Sequence, residues 1–132
     1  MTSRFHVGID AEPTEVGIVR LATTLFLRAM GWSEADIDPV VFATSEAVSN
    51  SVEHAYRGFA VGRVGVDLVI DAIDPGRERL CIIVSDTGRW RPETPSVAMH
   101  NGLLLIRAMV DRLLIETDGR GTRAVMQLER AR

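Results

Sequence analysis

The chain has 132 residues and a mass of 14.5 kDa, is 46% hydrophobic and 25% charged, and carries a formal net charge of −3. That balance suits one globular domain rather than a disordered segment, and it supplies no basic field to hold nucleic acid or an acidic membrane surface. All 15 basic residues are arginine, which excludes a phosphate-binding P-loop lysine and Schiff-base chemistry, and the single cysteine, Cys81, excludes an intramolecular disulfide or a paired-cysteine zinc site.

Cys81 sits in an apolar run and is expected to be an inert core thiol. Met1–Asp10 lacks the basic-then-apolar pattern of a signal peptide, and no apolar run approaches the ~20 residues that span a bilayer. A cytoplasmic protein with no membrane or nucleic-acid partner is expected.

Arg4–Ile9 alternates weakly and predicts a short first strand. Pro13 suits a first helical turn. Ile18, Leu21, Ala22, Leu25 and Ala29 then recur at helical spacing up to Met30, with Gly31 as the stop. Val19, Phe26, Leu27 and Met30 widen that apolar surface, which predicts a helix either deeply buried or shared with a partner. Asp38–Pro39 reads as an N-cap and first turn of a second helix running to about Tyr56. Val41, Ala47, Val48, Val52 and Ala55 suit its core side, and Glu46, Asn50 and Glu53 fall on another face.

Val64, Val66, Leu68, Ile70 and Ala72 alternate with more polar positions, as do Leu80, Ile82 and Val84. The turn residues Asp74-Pro75-Gly76 join them into a hairpin. Thr87 to Asn101 reads as a loop containing Pro92 and Pro95. Gly102 opens a third helix to about Asp111, followed by strands at Leu113–Thr117 and Thr122–Glu129. The order β-α-α-β-β-α-β-β predicts a single α+β domain over residues 1–132. It is a two-layer sandwich whose mixed, mainly antiparallel sheet carries three helices on one face.

Three segments carry candidate chemistry. Glu46 and Asn50 are one helical turn apart, so their side chains neighbour each other. An amide oxygen suits magnesium, and a carboxylate beside it can activate a nucleophile. Asp86, with Gly88 after it, ends an apolar strand, where a carboxylate can accept from an exocyclic amine and a glycine lets a flat ring approach. Asn101-Gly102-Leu103 sits at a helix opening, where free backbone N–H groups can hold phosphate. Each has a plain alternative: a solvated polar face, a strand-end turn and an ordinary helix start. Gly119-Arg120-Gly121-Thr122 adds a glycine turn before the last strand.

In this order the segments resemble the GHKL ATPases, which share the Bergerat ATP-binding fold. The chain is similar above all to the small RsbW-like anti-sigma-factor serine/threonine kinases. The resemblance runs from Phe5 to about Leu128, and Glu46-x-x-x-Asn50-x-x-x-His54-Ala55-Tyr56 is its most specific part. It implies ATP and Mg2+, with Asn50 as the metal ligand and Glu46 as general base. It further implies Asp86, Gly88 and Thr122 at the adenine, Asn101, Gly102 and Leu103 at the phosphates, and Arg91–Asn101 as a lid. The implied partners are a STAS-domain anti-anti-sigma protein as substrate, a sigma factor as a target of sequestration, and a second copy of the chain. The stretch Asp86-Thr87-Gly88-Arg89-Trp90-Arg91-Pro92 resembles copies attached to PP2C-type phosphatases, which implies a domain from a longer regulator. Where the family often has Gly-x-Gly-Leu, this chain has His100-Asn101-Gly102-Leu103, and Trp90 replaces a frequent second glycine. Those departures leave a second expectation: a catalytically weak nucleotide-binding module that binds a sigma factor or STAS partner.

Overall fold

The computed structural model describes residues 2–55, 62–88 and 97–132, with backbone alone at 54–55 and 97–100. Five strands form one sheet in the order β1-β2-β3-β5-β4: β1 is Thr2–Asp10, β2 Arg63–Asp74, β3 Arg77–Asp86, β4 Arg112–Asp118 and β5 Gly121–Ala131. All of its pairings are antiparallel, so the α+β layering holds with no parallel pair among the described residues. Pro75 and Gly76, the latter at φ +87°, make the β2–β3 turn in the positions a type II turn favours.

Alternation along the strands buries one face. Val64, Val66, Leu68 and Ile70 of β2, Leu80, Ile82 and Val84 of β3, and Ala124 and Met126 of β5 point into the core. Helices α1 (Val16–Ala29), α2 (Glu34–Asn50) and α3 (Val97–Met109) form the second layer. The middle helix, α2, packs on both α1 and α3, with α1 against β1, α2 against β3 and α3 against β4. Phe5 and Phe26 stack with centroids 5.2 Å apart, which docks α1 on the edge strand. No helix among the described residues is long and apolar enough to cross a membrane.

Several boundaries differ from expectation for identifiable reasons. The N-cap of α2 is Ser33, not Asp38; its hydroxyl accepts from the Asp36 N–H at 3.2 Å. Pro39 lies inside the helix, where its missing N–H leaves only the exposed Ala35 carbonyl to water. The α-helix ends at Asn50 and relaxes into a π turn, Ser51–Ala55. Tyr56 lies outside the described residues. On α1 the buried stripe is Val16, Val19, Thr23 and Leu27, whereas Ile18, Leu21 and Leu25 are 50%, 60% and 52% exposed. A polar Thr23 in the core stripe and leucines outside it invert the apparent periodicity. Cys81 is not in the core either: it is half-buried on the uncovered face of β3, where desolvation raises its thiol pKa.

One polar network around the buried Glu78 ties the end of β5 to both layers. Arg130 Nε donates to Glu78 Oε1 at 2.8 Å and its Nη1 to Asp36 Oδ2 at 3.0 Å, while the guanidinium stacks 4.2 Å from the centroid of Trp32. Glu78 is 8% exposed. Arg130→Ala would strand that carboxylate, with Arg132 at 3.5 Å the one cation left beside it among the described residues. The expected loss in urea unfolding is about 2–4 kcal/mol; a change below about 0.5 kcal/mol would show that Glu78 reaches water without its partner.

Candidate active site

The first half of the site is built by helices. Glu46 and Asn50 lie one turn apart on α2 and face α3 at Gly102. A methyl group added at Gly102 would stand 3.1 Å from Glu46 Oε2, 3.6 Å from Asn50 Nδ2 and 3.7 Å from Asn50 Oδ1. Glycine therefore lets α3 approach the converging carboxylate and amide more closely than a residue with a Cβ could. Asn50 is 4% exposed, and its Nδ2 has no hydrogen-bond partner among the described residues. Burying an amide without a partner costs roughly 1–3 kcal/mol. Its retention there suits a group that is satisfied by a ligand. The π turn that follows Asn50 is a rare local geometry that recurs at functional sites.

The second half is built by strands. Asp86, 8% exposed at the end of β3, faces Thr122 of β5 in register. Asp86 Oδ1 accepts from the Gly88 N–H at 3.0 Å, which fixes the carboxylate over the turn. Thr122, 1% exposed, places its hydroxyl 3.4 Å from the Gly88 carbonyl and 3.4 Å from the Thr117 hydroxyl. Gly121 makes this closeness possible. Its φ is +146°, and a Cβ there would stand 2.0 Å from the Asp86 carbonyl oxygen. The sequence marked the glycine turn; that it presses on Asp86 is a contact between distant segments that no local pattern reveals.

Gly102 does not open a helix. It lies well inside α3, which begins at Val97, so the N–H groups of Gly102 and Leu103 belong to the helix ladder. The groups left free at that end are those of Val97–His100. Asn101 is exposed, and Leu103 packs against the core rather than into the site. Of the expected lid, residues 91–96 lie outside the described residues and 97–101 are helical. Arg89, Trp90, Arg91, the side chains of His54 and His100, and any contact they make also lie outside them. Arg107 is exposed on α3.

The chain matches the histidine kinase-like ATPase domain over residues 9–128. It is 32% identical over 129 residues to a serine-protein kinase RsbW of Bacillus velezensis, covering 86% of this chain and 78% of the relative. It is 38% identical over 125 residues to that of Bacillus licheniformis, covering 82% and 74%. Among solved structures, it resembles that of the RsbU and RsbW domains of Rv1364c from Mycobacterium tuberculosis, with a TM-score of 0.68 at 27% identity. That match covers 97% of this chain but 33% of the mycobacterial one. A histidine kinase domain from Erythrobacter litoralis shares the fold, with a TM-score of 0.53 at 21% identity, over 70% of this chain and 44% of that one.

Proposed function

Because this chain belongs to the histidine kinase-like ATPase family, within which its relatives are the RsbW serine/threonine kinases, we propose that it phosphorylates a serine or threonine of a STAS-domain anti-anti-sigma protein. The observation that carries this reading is the convergence of Glu46, Asn50 and the side-chain-free flank of Gly102. The base-binding end at Asp86, Gly88 and Thr122 is a separate, strand-built unit, so one nucleotide can be held at both ends.

The Asn50 carbonyl oxygen is the hard donor that would hold Mg2+, and its unpartnered Nδ2 would donate to an anionic ligand such as phosphate beside that ion. Magnesium supplies neutralisation of phosphate charge, the main requirement of phosphoryl transfer. Glu46 takes the proton of the acceptor hydroxyl as its oxygen bonds to the γ-phosphorus; the bond to the β-phosphate oxygen breaks and ADP leaves. Asp86 accepts from the exocyclic amine of adenine, with Thr122 beside it. Asn101, Gly102 and Leu103 stay assigned to the phosphate end. Since the N–H groups of Gly102 and Leu103 are internal to α3, that contact requires the start of α3 to unwind or Val97–His100 to serve instead.

A cytoplasmic setting goes with this chemistry, as does a homodimer. A sigma factor as a second partner and a PP2C-type phosphatase domain on the same polypeptide complete the proposal. The exposed stripe of Ile18, Leu21 and Leu25 supports protein docking on α1. It equally favours the second reading, a catalytically weak nucleotide-binding module that acts by binding its partner.

Calorimetric ATP binding with and without magnesium tests the site. Asn50→Ala is expected to weaken magnesium-dependent binding by at least about tenfold while sparing magnesium-free binding. Equal magnesium-dependent affinities in the two proteins would remove Asn50 from the metal.

A further inference from the structure

The helix-built end of the site opens onto an apolar surface that no step of phosphoryl transfer uses. The start of α2 and the end of α3 both lie towards the C-terminal end of β5. Asp36 of α2 accepts from Arg130 at 3.0 Å, and Asp111, just past α3, donates its N–H to the Gln127 carbonyl at 2.9 Å. The two helices therefore run antiparallel, so moving along α3 from Gly102 moves back along α2 from Asn50 towards its start. At about 1.5 Å per residue, Leu105 and Met109 come level with Phe42. Phe42 is one turn before Glu46 on the same face of α2, and Met109 is two turns after Gly102 on the face that α3 presents to α2. Phe42, Leu105 and Met109 are all exposed, whereas Ile106 and Val110, next in sequence to the last two, are buried.

We propose that Phe42, Leu105 and Met109 form the docking surface for the phosphoacceptor protein, seating its serine or threonine hydroxyl at Glu46. The proposal rests on the kinase reading. The occupant follows from where the surface lies. A hydroxyl on a folded protein reaches Glu46 only together with the surface around it, and that surface must rest on what borders the carboxylate. A triphosphate gains nothing from aromatic or aliphatic side chains, so this patch is left to the protein substrate. Three large apolar groups in one exposed cluster beside a reactive carboxylate make a surface that a partner covers. Their chemistry asks for apolar side chains flanking the acceptor residue, and the unbranched thioether of Met109 adapts to the shape it meets. The stripe of Ile18, Leu21 and Leu25 lies across α2 on a different helix, so it is a separate surface.

The test is single-turnover transfer of labelled phosphate to a STAS-domain protein over a range of acceptor concentrations. It compares wild type, Phe42→Ser, Leu105→Ser, Leu105→Met and Leu114→Ser, with magnesium-ATP affinity and a melting curve for each. Leu114 is exposed on the opposite face of the sheet and serves as the control. Phe42→Ser and Leu105→Ser are each expected to raise the acceptor concentration for half-maximal transfer by at least about tenfold. Transfer at saturating acceptor and ATP affinity stay within about twofold of wild type. Leu105→Met, which keeps the apolar contact, and Leu114→Ser match wild type. An equal rise in Leu114→Ser overturns the proposal. So does a rise that comes with weaker ATP binding and a lower melting temperature, which would make the patch part of the fold. A wild type that transfers no phosphate overturns the kinase reading, and this inference with it. A wild type that transfers while either serine variant at Phe42 or Leu105 keeps its half-saturation overturns this inference alone.

Discussion

Glu46→Gln is expected to slow phosphate transfer to a STAS-domain substrate by about 10²–10⁴-fold, the usual span of a lost general base. The substitution keeps size and polarity, so the close approach of α3 at Gly102 is unchanged. ATP affinity should stay within about twofold, since the carboxylate acts on the acceptor hydroxyl and not on the nucleotide. Single-turnover transfer of labelled phosphate separates the two quantities. Transfer within tenfold of wild type would dismiss Glu46 as the base and return the α2 carboxylate to a solvated polar face.

Gly121→Ala is expected to cost about 3 kcal/mol or more of stability, or to prevent folding. Two independent effects combine there. At φ +146° an alanine is strained, and its Cβ would stand 2.0 Å from the Asp86 carbonyl oxygen and 2.7 Å from Thr87 Cα. Both neighbours are backbone, so relief requires β5 to part from β3 where Asp86 and Thr122 are paired. Gly119→Ala, two residues away in the same turn, is the control: nothing lies within 4 Å of its added methyl. Urea unfolding of that variant should fall within about 0.5 kcal/mol of wild type. A Gly121→Ala protein as stable as Gly119→Ala would mean that the strands part without penalty.

The parts of this architecture that could be read from the sequence are those set by local chemistry. The β2–β3 hairpin is announced by Asp74-Pro75-Gly76 between two alternating runs, and the Glu46–Asn50 juxtaposition follows from helical spacing alone. Competing local signals explain the misplaced boundaries. Asp38–Pro39 is the stronger written cap, yet Ser33 forms the real one because Trp32 and Ile37 are both buried and pull the earlier turn into the helix. Pro92 and Pro95 hide a helix that already starts at Val97. The inward face of α1 was masked by Thr23, a hydroxyl 0% exposed in an apolar layer. In the site, residue types were legible and their meetings were not. That Gly102 faces Glu46 and Asn50, or that Gly121 touches Asp86, depends on how α3 and β5 dock.

The strand order has a kinetic consequence. β2–β3 and β4–β5 are hairpins closed by turns of a few residues, and each can form within its own stretch of chain. β1 pairs with β2 across a separation that includes α1 and α2, as in Thr2 with Asp71, and among the described residues it has no strand on its other side. Loop closure therefore makes β1 the late arrival during folding, and its edge position, shared with β4 at the opposite side, opens it to amide exchange before the inner strands. Asp86 and Thr122 lie on β3 and β5, inside the sheet, so the base-binding end is insulated from that fraying edge by the whole width of β2.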